Sequence, residues 1–228
     1  MRTVPRFIAL ALLALGLAFQ GAHAQKDPSL VPKYGSLPKT DTQKAADRQF
    51  LAGMDKQFKG DRKKAAQETA TRGWQSLRQR NAQEAMRRFN QAWLLDKSNG
   101  LALWGMAAIQ GGSGKGAEAL QLLKEAEKSM GGDLDFAVDY ARALGMSGIQ
   151  AKDEAMVRQA LDRFARIHEQ APEHTLNLQN WAITLYGVGQ YALAWSRIEL
   201  AEATPRRADL DPRFIAALQQ KLPRPKTK

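Results

Sequence analysis

Three residues, Ala85, Phe89 and Ala92, stand at steps of four and three, a spacing that puts them on one face of a helix. The trio returns 34 residues on as Ala119, Leu123 and Ala126, then as Ala160, Phe164 and Ile167, then 34 further on as Ala194, Ile198 and Ala201. The middle interval is 41, which is 34 plus a seven-residue insertion. A period of this length marks helical hairpins that stack side by side, because no single hairpin can bury its apolar face alone. The expected fold is all-α: an α-solenoid of about four stacked hairpins, with an N-terminal helix pair and a C-terminal capping helix.

Punctuation along the chain fits that plan. Arg72 to Asn99 reads as two amphipathic helices with a polar break at Arg80-Asn81. Thr40 or Asp41 can cap a first helix to about Lys59, with Ala46, Phe50, Leu51, Met54 and Phe58 as its apolar stripe. Asp61 can cap the next helix. Repeats are expected at about 66–99, 100–133, 134–174 and 175–207, within a domain spanning 41–221. The insertion, around Ile149 to Glu154, is expected to precede the second helix of repeat three. Asp211-Pro212 is an N-cap with proline in the first turn, opening a capping helix over 211–221. Residues 25–40, with three prolines, read as an extended leader, and 222–228 as a disordered basic tail.

Residues 1–24 have the form of a cleavable secretory signal. Arg2 and Arg6 precede an apolar run from Phe7 to Phe19, and Ala22-His23-Ala24 is a small-x-small cleavage site. The mature chain is therefore expected in the periplasm or outside the cell. It contains no cysteine, which excludes disulfides, thiolate metal sites, a cysteine nucleophile and a lipidated N-terminal cysteine.

The whole chain carries +11, and +9 without the two signal arginines. Residues 39–89 hold 13 basic and 6 acidic residues and 204–228 hold 7 and 2, whereas 90–203 hold 10 and 14. Basic ends predict attraction to anionic partners. Nucleic acid is not expected as a partner, because an exported chain does not meet cytoplasmic DNA or RNA.

The pattern resembles the tetratricopeptide repeat family. The family's Ala-x3-Phe of the second helix stands here as Ala85/Phe89 and Ala160/Phe164, with Leu123 and Ile198 as aliphatic substitutes. Its small first-helix residue, twelve before that alanine, stands as Gly73, Ala107 and Ala182, and the insertion shifts it to Ala141 in repeat three. The large residue before it stands as Met106, Tyr140 and Trp181, with Arg72 departing from the pattern. Pro172 and Pro205 close repeats three and four. The resemblance covers about residues 66–207. It implies that the first helices line a concave groove holding peptide segments, at positions three before, one after and four after each small residue. Carried onto this chain, the groove candidates are Trp74, Leu77, Trp104, Arg142, Gln179 and Tyr186, beside Ala70, Ala108, Gly111, Val138, Gly145 and Ile183. A carboxylate clamp of lysines and asparagines is not matched, since Arg142 is the sole cation among these positions.

Other patterns point away from chemistry. The glycine-rich stretch Gly111 to Gly116 lacks the first glycine and the hydroxyl of a phosphate loop, and no strand precedes it. His168 and His174 are six apart, unlike helical metal pairs. Asp133, Asp135 and Asp139 suit a helix start. No catalytic residue, cofactor or metal is expected. The functional expectation is a non-enzymatic scaffold that binds a segment of another cell-envelope protein in the groove, with Trp74, Trp104 and Tyr186 as anchors. The alternative is an electrostatic binder of anionic envelope polymers through the basic ends.

Overall fold

The computed structural model describes residues 27–225. The signal peptide, leader residues 25–26 and tail residues 226–228 lie outside the described residues. Ten α-helices follow one another, and no strand occurs among the described residues. They are α1 (Asp41–Gln57), α2 (Arg62–Arg78), α3 (Ala82–Leu95), α4 (Gly100–Gly112), α5 (Gly116–Met130), α6 (Leu134–Ala151), α7 (Glu154–Gln170), α8 (Thr175–Gly187), α9 (Tyr191–Glu202) and α10 (Pro212–Lys221). Four hairpins, α2/α3, α4/α5, α6/α7 and α8/α9, pack in sequence. The N-terminal cover is α1 alone rather than a pair, because α2 is already the first helix of hairpin one.

Side-chain caps set the helix starts. Thr40 and Gln43 form a reciprocal capping box, and Asp61, Asn81, Asn99, Asp133, Asp153 and Asp211 each accept a backbone N–H of the first turn. His174 does the same through Nδ1, 3.2 Å from the Asn177 N–H. Within every hairpin the residue before the second helix's N-cap is left-handed: Arg80, Gly114, Lys152 and Gly189. Two of the four are not glycine, so the turn is imposed by the hairpin and not by glycine alone.

The periodic alanines are the core. Ala85, Ala92, Ala126, Ala160, Ala194 and Ala201 are fully buried, as are Phe89, Phe164 and Ile198. Glycine makes room for the largest of these. The Phe89 ring sits against Gly73 of α2 and Gly105 of α4, where an added Cβ would come within 2.6 Å and 2.1 Å of ring carbons. Cations extend the packing at repeat-equivalent positions: Arg163 lies 4.3 Å from the Tyr140 ring, and Arg197, 34 residues later, 4.0 Å from that of Trp181.

The inter-helix turn, Lys152–Asp153, falls inside the expected insertion, but the added residues lengthen both helices of hairpin three. Helix α6 runs ten residues past Ala141 where α4 and α8 run five past Ala107 and Ala182, and α7 begins six residues before Ala160 where α5 and α9 begin three before theirs. Gly148, inside α6, is a packing requirement, since a Cβ there would lie 2.9 Å from the Val157 backbone nitrogen. The tip of hairpin three therefore stands about one turn proud of its neighbours.

Both ends differ from expectation. The leader is not extended: Pro28–Leu30 forms a 3-10 turn and Pro32–Ser36 a turn in which Lys33, Tyr34, Gly35 and Ser36 are left-handed, both folded against α3. The fully buried Asn90 holds it: Nδ2 donates to the carbonyls of Ser29 and Val31, both at 2.9 Å, and Oδ1 accepts from the Tyr34 N–H at 3.3 Å. Ion pairs Lys33–Glu125 and Arg87–Asp27 flank this contact. The tail is ordered through its first residues, because the buried Trp195 indole N–H needs an acceptor and takes the Leu222 carbonyl at 2.9 Å. Arg224 follows, 5.2 Å from the Trp195 ring and paired with Glu202.

Candidate functional site

The first helices α2, α4, α6 and α8 form one face of the stack, with α2 against α4 and α6 against α8. Along it runs an aromatic ladder. The Trp74 and Trp104 rings are 4.8 Å apart, Trp104 and Phe136 5.7 Å, and Phe136 and Tyr140 6.0 Å. Each indole nitrogen is engaged: Trp74 Nε1 donates to the Leu101 carbonyl at 3.1 Å and Trp104 Nε1 to Asp139 Oδ2 at 2.9 Å. Both tryptophans remain half-buried, as does Leu77.

A cavity of about 640 Å³ opens between hairpins two, three and four. Three groove candidates line it together: Trp104, Arg142 and Tyr186. Ala108, Gly111 and Ile183 are with them, as the family positions imply. Trp74 and Leu77 lie one hairpin away and do not line it. Sequence reasoning missed the wall supplied by the lengthened end of α6, namely Met146, Ser147, Ile149 and Gln150. The signal was the insertion itself, placed only as the segment before the second helix of repeat three. Met146 is 55% exposed, high for a large apolar side chain at a cavity rim.

Gln179 is not a groove residue. It is 9% exposed, and its Oε1 accepts the Asp211 backbone N–H at 2.6 Å, tying the capping helix to α8. Ala70, Val138 and Gly145 are also buried, the last facing Thr184. Of the four positions three before the small residue, Ala70, Val138 and Gln179 are buried, and Trp104 alone is half-exposed and lines the cavity. Tyr186 packs edge-on against Phe214 of α10 at 5.7 Å, so the capping helix closes that end of the face.

The site's electrostatics are sparse. Asp139 serves both Trp104 and Arg142, the latter by a long 3.4 Å contact. Arg142 lines the cavity, and Asp139 is its ion-pair partner among the described residues. Among the described residues no cluster of three or more histidine or acidic side chains is placed to hold a metal. The leader stays clear of this face, because Asn90 and Glu125 hold it on the second helices α3 and α5.

The basic ends differ from each other. Arg206, Arg213 and Arg224 pair with Asp209, Asp211 and Glu202. In α1, α2 and their turn, Lys56, Lys59, Lys63 and Lys64 are exposed and have no ion-pair partner among the described residues.

No family model and no curated protein matches this chain. Solved structures do. TTC0263, a thermophilic TPR protein in Thermus thermophilus, aligns with a TM-score of 0.57 at 19% identity, over 68% of this chain and 80% of its own. YrrB, a TPR protein with an unusual peptide-binding site, aligns at 0.51 and 22% identity, over 79% of this chain and 86% of its own. The MamA RS-1 ArsTM double mutant aligns at 0.50 and 16% identity, over 71% and 93%. The chain has the tetratricopeptide-repeat fold.

Proposed function

We propose that the protein is a non-enzymatic, exported scaffold that holds a segment of a partner protein of the cell envelope in the cavity between hairpins two, three and four. The observation that carries this reading is a preformed, largely apolar cavity on the first-helix face that the protein's own leader leaves open. Aromatic side chains anchor a partner at small entropic cost, and Trp104 and Tyr186 stand at opposite sides of the opening. The fold of YrrB, a TPR protein with a peptide-binding site, supports the same use of the scaffold. The signal-like residues 1–24 support an envelope location.

A photoreactive residue at Met146 tests the reading, with the exposed outer residue Leu200 as control. A discrete crosslinked species from position 146 alone is the expected result. The same species from both positions, or none from 146, would overturn it.

The unpaired lysines of α1 and α2 support a second reading, attraction to anionic envelope polymers. At the C-terminal end Arg206, Arg213 and Arg224 are paired, and Arg207 and Lys221 are exposed without an ion-pair partner among the described residues. Such binding weakens steeply with salt, whereas capture in an apolar cavity changes little.

A further inference from the structure

Helix α1 is the one helix of the ten with no buried residue. Its stripe of Phe50, Leu51, Met54 and Phe58 is only partly buried, against Ala65, Ala66 and Leu95 at the N-terminal end of hairpin one. At its C-terminal end α1 turns into α2 through the left-handed Lys59 and Gly60, and Arg62 donates two 2.8 Å hydrogen bonds to Asp55 across that turn. At its N-terminal end the leader holds it. Lys39 pairs with Asp47 of α1 and stands 3.7 Å from the centroid of the Tyr34 ring. Pro28, Tyr34 and Leu37 of the leader and Ala46 and Asp47 of α1 together enclose a small cavity of about 230 Å³.

The leader is held in turn by α3. The Tyr34 N–H goes to Asn90, which also takes the Ser29 and Val31 carbonyls. At the positions equivalent to Asn90, Lys124 is exposed and Ala165 and Glu199 are half-buried, so this is an outward position that is fully buried only where the leader lies over it. The docked backbone is held against its own preference. Lys33, Tyr34, Gly35 and Ser36 follow one another in the left-handed region, and all but Gly35 carry a side chain. Such a run persists only while its surroundings fix it. The contacts form one chain of holds, from α3 through the leader to α1.

We propose that the leader is a latch on α1: engaged by Asn90, it keeps α1 over the end of hairpin one, and on release α1 swings at the Lys59-Gly60 turn and uncovers Ala65, Ala66 and Leu95. A terminal cap shields the apolar end of a repeat stack. The latch therefore governs access to that end, apart from the groove on the first-helix face.

The chain has no cysteine, so a single engineered thiol reports access without background. Ala66→Cys, under α1, is expected to react slowly with a maleimide in the full-length protein and at least about tenfold faster once Asn90→Ala is added. Ala65→Cys serves as a second reporter of the same face. Ala160→Cys, in the core of hairpin three, is expected to stay slow in both backgrounds. Replacing residues 27–36 by a glycine–serine stretch, which leaves α1 and α3 unaltered, is expected to reproduce the acceleration at Ala66→Cys. Rates at both reporters unchanged by either alteration would overturn the latch, because α1 would then be held without the leader. Acceleration by only one of the two alterations would overturn it as well, since Asn90 and the leader act as one grip. Equal acceleration at Ala160→Cys would also overturn it, because the leader would then stabilise the whole stack and not α1 in particular.

Discussion

Phe89 closes against Gly105 of the next hairpin, with no space between them for even a methyl group. It joins hairpins one and two together with the Trp74–Trp104 ring contact and the Trp74 Nε1 bond to the Leu101 carbonyl. Gly105→Ala therefore overpacks a fully buried ring and is expected to destabilise by about 2–3 kcal/mol. Gly53, in the middle of α1, has nothing within 4 Å of a built Cβ. Gly53→Ala is expected to stabilise α1 by up to about 1 kcal/mol through helix propensity. Urea denaturation of the two variants should shift the midpoint in opposite directions.

Asn90 is a buried amide whose donors and acceptor all serve the leader's main chain. Asn90→Ala leaves the Ser29 and Val31 carbonyls and the Tyr34 N–H without that partner, and the expected cost is about 1–3 kcal/mol. Hydrogen exchange is the sharper readout. The Tyr34 amide should lose protection in the variant, while amides of α5 to α9 keep theirs.

Tyr34 titrates unusually. Burial, followed by the nearby Asp47 carboxylate, pushes its phenol up to about 12. The folded state favours the neutral form, so this contribution is fully present below the unfolded value of about 10 and is lost as pH rises through about 12. Tyrosinate absorbance should show a late-titrating component that Tyr34→Phe removes. Tyr140 is also raised, by burial first and then by Glu127, so a reduced late component should persist in the Phe variant.

Arg197 covers Trp181 within hairpin four, and burial lowers its guanidinium pKa. Arg197→Ala removes both the cation over the ring and the packing of the aliphatic stem. The expected loss is about 1–2 kcal/mol, seen as a lower urea midpoint with an unchanged slope.

How much of this could be read beforehand follows from where each signal resides. The periodic alanines and Phe89 were legible because close helix packing dictates residue size at fixed steps, and size is written in the sequence. Trp104, Arg142 and Tyr186 were legible by the same register. Gln179 was not, because its partner is the Asp211 backbone 32 residues away, and backbone partners leave no mark on residue type. The end of α6 was not legible, because the insertion shows how many residues are added but not how they divide between α6, the turn and α7. The leader's fold was obscured by its prolines, although a sign existed. The positions equivalent to Asn90 are Lys124, Ala165 and Glu199, so repeat one alone carries an amide there.

The central claim is that the first-helix face around hairpin three, and not the leader-covered outer face, is where a partner sits. Hydrogen-exchange mapping with a peptide bound that was selected on the full-length protein from a random library tests it most directly. The account predicts new protection in the last turns of α4 and α6 and in α8, with the Tyr34 amide unchanged. Protection concentrated in α3 and α5, accompanied by release of the Tyr34 amide, would contradict it.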